Sequence, residues 1–250
     1  MNELEFERYQ PEIVPDFHES NEAMEVKEWN EAEGFNMQPD VRHDIPGVEP
    51  AFVYGNAYEV ADSLDDNQGD NSYNAEGNCG LVSTSNVLTL CGIEADEERI
   101  TGEAIENQLC NYSPFLPPES RGGVNDTQII ELFKLNGVEA TAFPAKSEEG
   151  SCEAVARYVE EGHGVAIGIN AGYAWQSLAG VNDGSANHEI TVTGTVRDEA
   201  GRLQGFIVCD SGLIGEDSSA RFMSLETMED AYEDVPGASA VVTNEALRAC

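Results

Sequence analysis

The chain has 250 residues, 40% of them hydrophobic, with 48 acidic against 12 basic side chains and a formal net charge of −36. That length buries one substantial core, alone or with an appendage. The charge excludes nucleic acid as a partner, because phosphate recognition needs basic patches. An anionic membrane surface is disfavoured on the same ground, and no apolar run approaches the ~20 residues of a membrane helix. A field this negative favours cationic partners. The opening "MNELEFERYQ" lacks a basic stretch followed by an apolar one. The expectation is therefore a cytoplasmic protein, or one exported without a visible signal peptide. Six cysteines with no CxxC pair and four scattered histidines predict no metal site and no cofactor, and a reducing compartment is the simpler account.

In chain order, residues 1–70 are acidic, carry prolines at 11, 15, 39, 46 and 50, and show no long apolar period. They predict an extended N-terminal arm, a wrap or an inhibitory segment, ahead of one domain over 71–250. From Cys79, "CGLVSTSNVLTLCG" predicts a helix capped at Gly92. "EADEERITGEAIENQLC" predicts a second, with carboxylates in the first turn where the helix dipole favours them. "NDTQIIELFKLNG" predicts a third, with Asn125 or Asp126 as N-cap and Ile129, Ile130, Leu132, Phe133 and Leu135 buried. "VEATAF" is a predicted strand and "SCEAVARYVEEG" a helix. Then "GVAIGIN", "HEITVTGTVRD", "RLQGFIVCDSG" and "ASAVVTN" are β-branched runs between turns, with "DEAG" as a hairpin connection. Helices first and strands after predict an α+β fold.

Cys79 begins a helix, where unpaired N–H groups and the dipole stabilise a thiolate. Gly77 and Gly80 leave the backbone open to a substrate carbonyl, and the Cys79 N–H is placed to serve an oxyanion. A nucleophilic thiol needs a base. His18 and His43 lie in the arm and His163 in a helix-to-strand turn, whereas His188 opens a strand. Asp210 ends the next strand, and antiparallel pairing would set the two at one sheet edge. An aspartate beside a histidine fixes its tautomer and stabilises the imidazolium.

The ordered set "NCGLVSTSNVLTLCGI", "GGVNDTQIIELFKLNGVEATAF", "GHGVAIGIN" and "HEITVTGTVRDEAGRLQGFIVCDSG", over about residues 74–243, resembles the papain-like cysteine peptidases. The nearest shape is the bacterial peptidases that process bacteriocin leaders. The resemblance implies a helical subdomain opening with the nucleophile helix, packed on an antiparallel β-sheet that carries the histidine and aspartate. It implies Cys79 as nucleophile, His188 as general base and Asp210 as orienter. It also implies an oxyanion-binding glutamine about six residues before the cysteine. Tyr73 stands there; Asn74 ranks first as a replacement and Gln68, further upstream, second.

The expected activity is hydrolysis of peptide or amide bonds through an acyl-enzyme, on a peptide or protein substrate with basic or glycine-rich targets. Trp175 and Tyr173, before His188, are candidate subsite residues. Two alternatives stay open. One is transglutaminase-like acyl transfer or glutamine deamidation with the same residues. The other is a non-catalytic interaction module on a degenerate peptidase fold.

Overall fold

A computed structural model of the protein describes residues 38–55, 57–64, 67–175, 183–213 and 218–246. It is α+β, with an open antiparallel sheet covered by helices on both faces. The sheet runs β7 (Arg221–Ser224), β6 (Leu203–Cys209), β5 (His188–Arg197), β4 (His163–Ile169), β8 (Ser239–Ala246), β3 (Ala140–Pro144).

Period-two alternation assigns the side chains to the two faces. Val165, Ile167 and Ile169 of β4, with Ala240 and Val242 of β8, join the core under α5 (Cys152–Glu160), where Val155, Ala156 and Val159 pack. Ala166 and Val241, between them in sequence, join the opposite core. That core lies under α2 (Cys79–Leu90), α3 (Glu97–Glu106) and α4 (Asp126–Leu135). Helix α2 is buried almost all round, from Gly80 to Leu88. Its polar groups close locally: Thr84 Oγ1 donates to the Gly80 carbonyl (2.7 Å) and Ser85 Oγ to that of Val82 (2.9 Å). Small, self-satisfied side chains let the helix lie directly against the sheet.

Helix ends follow their residues. Asn125, not Asp126, caps α4 and forms a capping box with Gln128. Leu135, expected inside, is 47% exposed; it falls at the last position of α4, outside the face that Ile129, Leu132 and Phe133 bury.

The predicted division at residue 70 needs correction. Residues 1–37, most of the expected wrap or inhibitory arm, lie outside the described residues. The described part is built into the sheet. β1 (Asp40–Arg42) and β2 (Ala51–Tyr54) form a hairpin, and β2 pairs with the second half of β5, from Tyr54↔Thr195 to Phe52↔Arg197. The first half of β5 pairs with β4, from Ile169↔His188 to Val165↔Val192. One edge of β5 thus serves two partners in turn, and β6 takes the other edge. Ile45, Val48, Ala51, Val53 and Ala57 close a third core with Val196 and Ile207. The prolines and acidic spacing hid these short strands. Among the described residues no helix is long and apolar enough to cross a membrane.

Candidate active site

Three element ends converge at one corner of the sheet. Cys79 is the first residue of α2, His188 the first of β5, and Asp210 follows the last of β6. The β5–β6 hairpin turns through 198–202, where the Asp198 carboxylate accepts from the N–H groups of Ala200 and Arg202. Antiparallel pairing returns the chain to its starting level, with Thr191 opposite Cys209, so His188 and Asp210 meet.

His188 Nε2 lies 2.6 Å from Asp210 Oδ1, with both side chains buried. The second carboxylate oxygen accepts the indole N–H of Trp175 at 2.7 Å, and Oδ1 also accepts the Gly212 N–H at 3.1 Å. Arg221 Nη1 stands 3.7 Å away. Burial acts to raise Asp210, but these donors, His188 foremost, hold it below the usual carboxylate range.

With Nε2 committed to Asp210, Nδ1 is the ring nitrogen left to face the thiol, and His188 and Cys79 lie close enough to shift each other's titration. Burial lowers His188, yet Asp210 and Cys79 together carry it up to about 10. Burial likewise raises the Cys79 thiol. The imidazole, joined by the N–H groups of Glu189 and Gly80, outweighs it and leaves Cys79 below an ordinary thiol. No side chain caps α2: the Asn78 amide turns instead to Glu97 (2.6 Å) and Thr101 (3.1 Å). Its open N-terminus adds a positive field at the sulfur. Both directions favour a thiolate beside a protonated imidazole.

Trp175 serves the His188–Asp210 pair. It ends the short helix α6 (Ala171–Trp175), and its ring meets the His188 ring edge-on at 5.1 Å, roofing the His188–Asp210 pair. Tyr173 is 43% exposed on the same helix, and neither residue lines the cleft beside Cys79. Asn74 sits exposed in a left-handed turn at φ 50° and also lies outside that cleft. Gln68 lies outside that cleft too, but its loop folds back toward Asp210. Its backbone N–H donates to the Ser211 carbonyl (3.1 Å), next to Asp210, and its side-chain amide to the Glu76 carbonyl (3.0 Å). The loop thus doubles back on itself beside Asp210.

That fold-back has a cause that sequence reading missed. Glu97 Oε1 accepts from the Gly69 N–H (2.8 Å), Asn71 Nδ2 (2.8 Å) and Asn78 Nδ2 (2.6 Å). The acidic first turn of α3, read only as complementing the helix dipole, also clamps the loop that carries Gln68. Nothing in the local pattern distinguishes such a glutamate from a solvated one.

Gly212 has no room for a side chain: a methyl group there would lie 2.6 Å from Trp175 Cζ2 and 3.0 Å from His188 Cε1. Gly212→Ala should push the indole off the pair. We expect red-shifted tryptophan emission and about tenfold slower alkylation of Cys79 at pH 7 as its support weakens. Unchanged emission and reactivity would show that the roof is dispensable.

None of the five described cysteines is in a disulfide, and Cys250 lies outside the described residues. Burial alone raises Cys110, to about 11. Burial raises Cys152 as well, with Glu233 adding to it. Neither resembles Cys79 in chemistry. No family model matches the chain, and no curated protein matches it significantly.

Proposed function

We infer that the protein is a thiol hydrolase of the papain-like kind, acting on peptide or amide bonds. The observation that supports this most is the buried His188–Asp210 hydrogen bond set beside Cys79, a thiol at an uncapped helix start. The Cys79 thiolate attacks the carbonyl carbon and pushes its electron pair onto oxygen. The Cys79 N–H and the Gln68 amide receive that oxyanion. On collapse the C–N bond breaks, and the imidazolium gives its proton to the leaving amine. Neutral His188 then takes a proton from water as its oxygen attacks the thioester, and collapse breaks the C–S bond, releasing the carboxylic acid and restoring the Cys79 thiolate beside the imidazolium. Asp210 holds the ring through both steps and Trp175 keeps water from their bond.

The test is product analysis on a peptide library by mass spectrometry, with Cys79→Ala as the blank. New termini that vanish in Cys79→Ala are expected, and Gln68→Ala should slow their formation about 10²- to 10³-fold while Asn74→Ala does not. Ammonia release or cross-links without new termini would replace hydrolysis by deamidation or acyl transfer. No Cys79-dependent product at all would sink the enzymatic reading.

A further inference from the structure

The β5 residue after His188 has the opposite orientation. Glu189 shares parity with Thr191, whose hydroxyl faces Asn86 of α2, so its side chain enters the space between the starts of α2 and α4. A methyl group at Gly80 would lie 3.9 Å from Glu189 Cβ, and one at Gly168 3.2 Å from its Oε2. Glycine at Gly168 is therefore what leaves the carboxyl its room. The space is a cleft of about 320 Å³ that reaches Cys79 itself. Small residues, Gly168, Ala186, Gly237 and Ser239, line it, and Asp126 adds a second carboxylate. Among the described residues lining it there is no lysine or arginine.

Glu189 Oε1 is sealed from solvent and has no hydrogen-bond partner among the described residues. A sealed carboxyl oxygen without a donor is costly, and native structures rarely retain one without use. The other polar side chains nearby are already employed: Asn187 holds the Ala171 N–H (2.9 Å), and Asn125 caps α4. We propose that this cleft selects a cationic side chain of the substrate, an amine or a guanidinium, and seats it against Glu189 within reach of Asp126. The assignment rests on the hydrolase reading of Cys79 and names the class of a substrate residue close to, but not adjoining, the bond cut. Burial first, then the nearby Cys79 and Asp126, raise Glu189 well above the usual carboxylate range. A cation arriving from outside reverses that imbalance: the carboxyl releases its proton and gains the donor it lacks.

The experiment uses three peptidyl vinyl sulfones that differ only in carrying Lys, Leu or Glu two residues before the electrophile. The rate of Cys79 labelling is read by mass spectrometry on the full chain. Wild type should react with the Lys probe at least about tenfold faster than with the Leu probe, and slowest with the Glu probe. In Glu189→Gln the Lys-to-Leu ratio should fall by about 10- to 100-fold, and in Glu189→Lys the Glu probe should overtake the Lys probe. The Leu probe is the internal reference in each variant, and if Glu189→Lys does not fold, the ratio in Glu189→Gln decides. Equal rates for all three in wild type overturn the cationic assignment and leave the hydrolase reading standing. Labelling by iodoacetamide but by no peptidyl probe overturns both.

Discussion

Replacing His188 by alanine should move the pH midpoint for alkylation of Cys79 upward, past the ordinary thiol value of about 8.5. Two opposing influences meet at this sulfur. Burial raises the thiol, and His188 outweighs burial in the intact site. Without the imidazole only the backbone N–H groups oppose burial, so the sign of the shift changes. Hydrolysis should fall by about 10²- to 10⁴-fold, since the proton donor for the leaving amine goes with the ring. Cysteine-resolved alkylation from pH 4 to 10, with Cys110 as the internal control, measures both directions. Superimposable profiles for Cys79 in wild type and variant would end the ion-pair account. The same shifts bound the working range. These shifts favour the thiolate–imidazolium state between the lowered value of Cys79 and the value near 10 of His188. Stabilisation from His188, whose ordinary value is about 6.5, is full below that pH and is lost as pH rises through about 10. Stabilisation from Asp210 is present above its ordinary value and lost as pH falls through the depressed one.

The largest loss of stability is expected at the other end of the strand that His188 opens. Arg197, the last residue of β5, donates through Nε to Glu160 Oε1 at 2.6 Å and through Nη2 to Oε2 at 3.2 Å. Thr195 adds its hydroxyl at 2.8 Å, and Glu160 is fully buried. Burial raises Glu160 even with these donors around it, so removal from water outweighs the pairing. Glu160→Ala would leave the guanidinium buried beside its more exposed partner Glu153 and should cost about 3–5 kcal/mol. Glu160→Leu with Arg197→Met should recover most of that, because a buried pair is worth little against an apolar pair of similar volume. Urea unfolding of the two single variants and the double measures the coupling. Additive losses would show that the pair is not a unit.

The site was legible in sequence to the extent that it is made of local structure. The β5–β6 hairpin is a short-range event, so alternation and the Asp198–Gly201 turn suffice to bring His188 to Asp210. The cap at Asn125 and the helix starting at Cys79 are equally local. What escaped was everything that depends on distant packing. β2 pairs with β5 across more than a hundred residues, and strands of three and four residues carry almost no periodic signal. Trp175 reaches Asp210 only because α6 folds back over the sheet edge. Gln68 is brought beside Ser211 by a loop held by Glu97, and Glu189 stands out only once its oxygen is seen to lack a donor among the described residues.

The order of the site residues along the chain also bears on its synthesis. Cys79 emerges roughly 110 residues before His188 and still further ahead of Asp210. At about 5–20 residues per second the ribosome needs roughly 5 to 20 seconds to cover that gap. During it the thiol has no imidazole to charge it, and at neutral pH only a few per cent of it is ionised. The nascent thiol is thus left alone by arithmetic, and it can meet its partners only once His188 and Asp210 have been made.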